Sequence, residues 1–404
     1  MPSNPQRAGG GGGGAAAGGG QPSPSSINRA QRMAVLQNAV EMTQQIYSAS
    51  PQAGQSQINI APRNVGLVKK FVIKITGTMN NTDGANTATL SDIGLANLLT
   101  QVIFTDLNNN IRIQTAGWHL SFLQAMKNQW PMTDALLAAS SEQFSETMGN
   151  VFPVIVTPTA IGHGNSSPFT MWFEVPLAYS DDDLRGAVYM NVVNATANLQ
   201  LTLNLNGAFA AAGVDSTLAV WKGAAGTLSA ITITVYQVYL DQLPVGKQGV
   251  VLPQLDLSTV YEIKNTSFTG FVPTQDFPMP YANFRDFLST FLIYNSNPSA
   301  DAGRNPGTDI NYLAMQSANF TNIFKTEPLY VALKTRMMLG KDLPAGCYYF
   351  SSRRKPISTT TYGNMQLIVN PITASNGPYG LVGYEDFAMV NTLLNSGSLA
   401  GGGQ

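Results

Sequence analysis

The sequence predicts an all-β protein of the sandwich or jelly-roll kind, interrupted by a few helices. Three observations carry this. Short apolar runs alternate with polar residues at period two, as in LQLTLNL (Leu199–Leu205) and ITITV (Ile231–Val235). One face of a half-buried strand requires that pattern. Gly, Pro and Asn clusters punctuate the runs every several residues, which is turn chemistry. Helical periodicity is confined to a few short stretches.

The elements follow in order. Residues 1–24 are low-complexity and Gly-rich, with Pro22 and Pro24 at the end. They offer no side chains to bury and read as a flexible linker. Ser25 or Ser26 can cap a helix running to about Tyr47, with Met33, Leu36, Val40 and Ile46 as its apolar residues. Arg29 and Arg32 lie in its first half. Such a helix either lies across a neighbouring subunit or turns its basic end to lipid head groups.

Val65–Thr78 reads as a strand, with Phe71, Ile73 and Ile75 alternating against Lys70, Val72 and Lys74. A helical turn is expected over Ser91–Leu99. Val102–Thr105 and Ile111–Ile113 should form a hairpin around Asn108–Asn110. Thr115–Asn128 is expected to be helical, because Trp118, Phe122 and Met126 recur every four residues. Val151–Thr157, Phe169–Val175 and Asn198–Leu205 are further strands. In the second half, Val260–Lys264, Phe291–Asn295, Cys347–Ser351, Met365–Asn370 and Leu381–Phe387 read as strands. Pro328 opens one more helix, whose Leu329, Leu333 and Met337 share a face and which Gly340 would end. No fixed-period repeat links the two halves. Gly397–Gln404 reads as a polar tail.

The pivot lies at Leu240–Gly249. After the strand pattern of Ile231–Tyr239, Pro244 and Gly246 break the ladder, and a second apolar run begins after Gly249. About 180 strand-like residues precede this break and about 150 follow it, each the size of one domain. The stretch is expected to be a short covalent bridge between two β domains. A sheet continuous across it, or a cleft gathering ionisable side chains, would contradict that expectation.

Composition bounds the function. The net charge is −1 and only 11% of residues are charged, against about 25% in typical soluble domains. The apolar share is 44%, so amides, hydroxyls and glycine replace the missing charge. A surface of this kind costs little to desolvate and can pack against copies of itself. A secreted or halotolerant domain would share the composition. Direct binding to nucleic acid, which needs clustered Lys and Arg, is not expected. The single cysteine, Cys347, excludes an internal disulfide and reads as a buried small hydrophobe. No apolar h-region marks the N-terminal stretch as a signal peptide, and no run of about 18 apolar residues could span a membrane.

Chemistry-bearing motifs are scarce. His119 follows Trp118 on the apolar helix and is expected to be a hydrogen-bonded core residue; His163, in GHGNSS, is expected in a solvated loop. The glycine run fits G-x-G-x-x-G only trivially, without the strand and helix that a phosphate cradle needs. Walker-type, H-E-x-x-H and G-x-S-x-G motifs are absent. Asp181–Asp183 are expected as turn acids beside Arg185, since they lack EF-hand spacing. No catalytic residue, metal or cofactor is expected. Trp130 and Trp221 are the loop tryptophans that a glycan-binding β-sandwich could use, and that remains the alternative function.

LDQLPVGKQG and LPQLDLSTVY at the pivot resemble the inter-domain connection of the tectivirus major capsid proteins. The resemblance extends in register through PRNVGLVKKFVIKIT (Pro62–Thr76), AGWHL (Ala116–Leu120), VPLAYSDDDLRGAV (Val175–Val188), GTDINYL (Gly307–Leu313), YGNMQLIVNP (Tyr362–Pro371) and GYEDF (Gly383–Phe387). It implies two eight-stranded jelly rolls plus an N-terminal helical arm. The division would be 1–60 for the tail and arm, 61–243 and 244–395 for the two jelly rolls, and 396–404 for a flexible tail. Leu243, Pro244, Gly246 and Gly249 would form the inter-domain connection. The implied role is a major capsid protein whose homotrimers form pseudo-hexagonal capsomers of an icosahedral shell. Implied partners are vertex and minor capsid proteins and an internal viral membrane, reached through the arm by Arg29 and Arg32. The enclosed double-stranded DNA would not be touched. The implied location is the virion, assembled in the bacterial host cytoplasm. The helical insertions near Thr115–Asn128 and Glu327–Leu339 are candidates for trimer or tower packing.

Overall fold

The computed structural model describes residues 22–52, 55–82, 85–90, 94–106, 110–128, 145–147, 152–156, 160–190, 199–206, 220–222, 226–281, 285–295, 309–319, 322–339, 343, 346–372 and 379–388. Sixteen main strands carry it. In the first half they are β1 (Val40–Ala49), β2 (Gln57–Ile60), β3 (Leu67–Asn81), β4 (Leu99–Thr105), β5 (Ile111–Thr115), β6 (Ser166–Pro176), β7 (Gln200–Leu205) and β8 (Gly226–Asp241). In the second they are β9 (Val260–Thr269), β10 (Phe277–Pro280), β11 (Arg285–Asn295), β12 (Ile310–Ser317), β13 (Phe324–Thr326), β14 (Cys347–Ser351), β15 (Met365–Pro371) and β16 (Tyr379–Ala388). Shorter strands, such as Val188–Tyr189 beside β3, add to these.

The two halves have one topology. The first stacks a sheet of order β1-β8-β3-β6 on one of order β2-β7-β4-β5; the second stacks β9-β16-β11-β14 on β10-β15-β12-β13. Each strand of the second half thus takes the place of the strand eight earlier. Even one irregularity repeats. The β8–β3 ladder skips Lys69, between Lys70↔Val238 and Val68↔Tyr239. The β16–β11 ladder skips Leu288, between Ser289↔Glu385 and Phe287↔Asp386. A skipped residue bends a strand locally, so the shared bulge fixes the same curvature in both sheets.

The alternation expected in β3 and β7 is observed. Phe71, Ile73 and Ile75 are buried while Val72 and Lys74 are half exposed, and Leu201, Leu203 and Leu205 all face the core. Three helices matter here: α1 (Pro24–Asn38), α2 (Gly117–Asn128) and α3 (Gln254–Ser258). Trp118, Phe122 and Met126 of α2 are all buried, as their spacing requires. A fourth, α4, spans Pro328–Leu339.

Three expectations need correction. The first helix is capped by Ser23, whose hydroxyl accepts from Ser26 N–H at 3.3 Å, and it stops at Asn38 instead of reaching Tyr47. Residues 40–49 pair with the open edge of β8, where β-branched and aromatic side chains fit a pleated surface better than a helix. With β2, they place Val40–Ala49 and Gln57–Ile60 in the sheets of the first half and not in the arm. Leu329, Leu333 and Met337 of α4 do share a face, and it is exposed, while Val331 and Thr335 face the protein. Gly340 lies outside the described residues. Trp221 is fully buried, so it is no loop platform for a sugar; Trp130 lies outside the described residues.

The largest difference concerns the bridge. The halves are joined by far more than a tether. β5 pairs in parallel with β9 at Ile113↔Ile263 and Gln114↔Lys264, so one sheet runs across both halves. One apolar cluster also spans them, with Phe71, Phe104 and Phe173 continuous with Tyr261, Phe291 and Tyr349. The sequence concealed this because two registered residue pairs and one helix face do the joining, and neither interrupts a local pattern.

Candidate functional site

The chemistry of the molecule gathers at the seam between the halves. The tether contributes little of it. Val245–Gly246 pairs with Gly249–Val250 in a small exposed hairpin. Gly249 takes φ +108°, a value that other residues rarely adopt, and a Cβ there would meet open space. Leu243 and Pro244 are half-buried at its base, and Leu243 packs on a small cluster with Val35, Leu67 and Leu240. Pro244 C=O accepts from Val251 N–H at 2.8 Å.

Just beyond, Asp256 of α3 is buried and ties the arm down. It accepts from Asn28 Nδ2 at 2.8 Å and from both Nε and Nη2 of Arg32 at 2.5 Å. Asn28 Oδ1 in turn accepts from Leu255 N–H at 3.0 Å. Bidentate guanidinium–carboxylate pairing of this kind is directional as well as strong. Its hydrogen bond to Asp256 raises the Arg32 pKa. Arg32 is therefore committed to the protein; Arg29, one position after Asn28, is exposed.

The second cluster centres on Glu385 of β16, which is fully buried. It accepts from Tyr261 Oη, from Ser289 Oγ at 2.6 Å and from Arg353 Nε at 2.7 Å, and Lys127 Nζ lies 3.5 Å away. Burial alone would raise its pKa; Arg353 and then Lys127 override this and hold it at about 2. Lys127 belongs to α2 of the first half and Glu385 to the second. Lys127 Nζ also donates to Tyr179 C=O at 2.8 Å and Tyr261 Oη at 2.7 Å. Burial lowers its pKa to about 8.

Beside it, α2 lies on the outward face of the second half. Phe122 stacks on Phe291 with ring centroids 3.7 Å apart and meets Tyr349 edge-on at 5.0 Å. His119 presses on Gly383, where a Cβ would come within 2.4 Å of its ring, and its Nδ1 bonds Thr115 Oγ1 at 2.7 Å. Burial drops its pKa to about 3, so it is neutral, as a core histidine should be. His163 is exposed in a turn.

A cleft of about 470 Å³ opens at this seam, lined by Lys69, Lys70, Lys127, Glu174, Asp181 and Arg353. It does collect ionisable groups, but they neutralise one another. Lys69 bonds Glu41 at 2.7 Å and Asp181 at 2.8 Å, and Lys70 bonds Glu174 at 2.7 Å. Asp183 is bound by Arg185 at 2.6 Å. Among the described residues no group of His, Cys, Asp and Glu could hold a metal ion, and Cys347 is buried. The arrangement is a clamp. It fixes the orientation of two sandwiches and presents no nucleophile or acid–base pair to a substrate. The Lys127–Glu385 link was not legible in the sequence, since 258 residues separate its ends.

The P3 major capsid protein N-terminal model matches residues 30–243, and the P3 major capsid protein C-terminal model matches residues 258–401. The major capsid protein P3 of Enterobacteria phage PRD1 is 39% identical over 378 residues, covering 92% of this chain and 94% of that protein. Among solved structures, the STIV MCP superposes with a TM-score of 0.61 at 10% identity, covering 87% of this chain and 97% of that one. The Faustovirus major capsid protein gives 0.53 at 8% identity, covering 87% and 91%. At such identities these likenesses speak for the double jelly-roll fold alone. The chain belongs to the P3 major capsid protein family of the tectiviruses: it is a structural coat protein of the virus particle, not an enzyme.

Proposed function

We propose that three copies of this chain form a pseudo-hexagonal capsomer, and that these capsomers tile an icosahedral shell around an internal lipid membrane and a double-stranded DNA genome. The observation that carries this reading is the seam. Two jelly rolls of identical topology, locked by the buried Glu385 cluster, give a rigid block whose outline is set before assembly. Many weak contacts between such blocks add up to a stable shell. The low charge of the chain suits close packing of copies and leaves DNA untouched. Residues 1–39 act as the arm, Leu243–Gly249 carries the chain from one jelly roll to the other, and the last residues form a tail. Arg32 anchors the arm to Asp256, so among the described residues of the arm Arg29 is the cation left to meet lipid head groups. Vertex and minor capsid proteins complete the shell, which assembles in the cytoplasm of a bacterial host.

Light scattering on the purified chain tests the first step. A trimer that goes on to form shells or flat sheets is expected; a monomer at all concentrations would refute the capsomer. Removing residues 1–24 should leave the trimer intact and impair assembly on the membrane. Loss of the trimer itself would show that the arm has another role.

A further inference from the structure

A crevice of about 420 Å³ opens between α4 and the strands β13 and β14 of the second jelly roll. That volume lies in the range of small-molecule sites. Its walls are largely apolar. Val331 comes from the helix, Phe324 from β13 and Phe350 from β14, and the two rings stack with centroids 4.9 Å apart. Tyr330 and Met338 of α4 also line it, and each is 50% exposed. They stand eight residues apart, about 12 Å along the helix axis.

The matching place in the first half is closed. β5 ends at Thr115 and β13 at Thr326, and α2 spans Gly117–Asn128 as α4 spans Pro328–Leu339, an offset of 211 residues throughout. Lys334 and Thr335 therefore stand where α2 has Leu123 and Gln124. Leu123 is buried in the apolar cluster, and Gln124 Oε1 accepts from Glu174 N–H of β6 at 3.4 Å. In the second half the Thr335 hydroxyl turns back on its own helix and donates to Val331 C=O at 2.9 Å. The Lys334 ammonium lies over the Tyr330 ring, 5.4 Å from its centroid. Neither bonds to β14, and the gap between helix and strand stays open.

The crevice is also positively charged. Lys325 of β13 and Lys334 of α4 line it from opposite walls, and both are exposed. The Lys325 ammonium lies 3.7 Å from the centroid of the Tyr312 ring, whose hydroxyl donates to Asp276. Among the described residues neither lysine has an ion-pair partner, and no Asp or Glu lines the crevice. Two cations beside an apolar slot complement a ligand with an anionic head and an aliphatic tail.

We propose that this crevice binds one molecule of a free long-chain carboxylic acid. The aliphatic chain lies between α4 and β14, and the carboxylate meets Lys325 and Lys334. The chain fills the gap that Leu123 and Gln124 close in the first half, and so braces α4 against the sandwich. The site lies within one chain and is independent of how copies meet.

Two measurements test it on the full-length chain. The first is calorimetric titration with dodecanoate below its micellar range. One saturable site per chain is expected. Dodecyltrimethylammonium, with the same tail and the opposite charge, should not compete for it, and neither should dihexanoyl phosphatidylglycerol, an anionic lipid with two short chains. The double variant Lys325→Ala with Lys334→Ala changes two exposed side chains, so the fold should survive, and dodecanoate should bind roughly tenfold more weakly. Absence of saturable binding, competition by the cationic amphiphile or the two-chain lipid, or unchanged affinity in the double variant would overturn the proposal. The second measurement locates the ligand. Met338→Cys places a thiol at the crevice, while Cys347 is buried and stays unreactive. Saturating dodecanoate should slow alkylation of the new thiol by iodoacetamide several-fold. An unchanged rate would place the ligand elsewhere and overturn the assignment.

Discussion

The outward faces of the two larger sheets occupy equivalent places and differ in one respect. On the second half, Phe291, Cys347 and Tyr349 are buried beneath α2. On the first half, their counterparts Val72, Trp172 and Glu174 are half exposed. The difference is written in the strands. β3 alternates apolar and polar residues because one face meets the core; β11 reads Phe291-Leu292-Ile293-Tyr294 because both of its faces are covered. The same backbone position thus tolerates a valine beside lysines in one half and demands an aromatic ring in the other. What covers a sheet decides its sequence as much as the sheet itself.

The sharpest way to break this comparison is to place one charge at both positions. Phe291→Asp buries an unpaired carboxylate and removes the ring stacked on Phe122. Together these should cost about 5 kcal/mol or more, comparable to the whole stability of a domain. No folded protein is expected. Val72→Asp should leave the chain folded, with a spectrum like the wild type. Equal damage at both sites would mean that the two faces are alike after all.

Glu385→Gln should have the next largest effect. It strips Lys127 and Arg353 of their carboxylate inside the seam, and breaking a buried pair in this way costs about 3–5 kcal/mol. Thermal denaturation should show a lower midpoint and, because the clamp joins the halves, two separated transitions. Adding Lys127→Met to Glu385→Gln should restore part of the loss.

A smaller effect belongs to pH. His119 is held neutral, with its pKa dropped from 6.5 to about 3. The unfolded chain therefore binds more protons between these values, and stability falls as pH falls through that window. Each unit of pH should cost up to about 1.4 kcal/mol. The drop should vanish in His119→Asn when the two melting curves are compared from pH 7 to pH 4. A parallel pair of curves would mean that His119 is solvated.

The smallest effect is expected at the tether. Gly249→Ala strains a left-handed turn in open space and should cost about 1 kcal/mol. A protease nick within the exposed Val245–Gly249 hairpin should leave the halves together on a sizing column, since the seam holds them. Separation after nicking would restore the tether to the role that the sequence suggested.

How much of this was legible in advance follows from the same contrast. Strands with one buried face, β3 and β7, announced themselves by alternation, and α2 by the spacing of Trp118, Phe122 and Met126. The spacing of Leu329, Leu333 and Met337 was equally clear and the helix is there, but an apolar ridge says that something can cover it and not what. Val40–Tyr47 reads as helix in the sequence because local spacing cannot register the open edge of β8, almost two hundred residues away. The Glu385 cluster drew side chains from Lys127 to Arg353 and left no local mark. The duplication was invisible in the letters and plain in the ladders, down to the skipped Lys69 and Leu288.

The most direct test is the side-chain density of the purified, assembled capsomer by electron cryomicroscopy. Every chain should show Phe122 stacked on Phe291 and Glu385 held by Tyr261, Ser289 and Arg353, with the two halves at one fixed angle. Halves that turn about the seam from one chain to the next would contradict the claim that the buried Glu385 cluster sets the outline of the block before assembly.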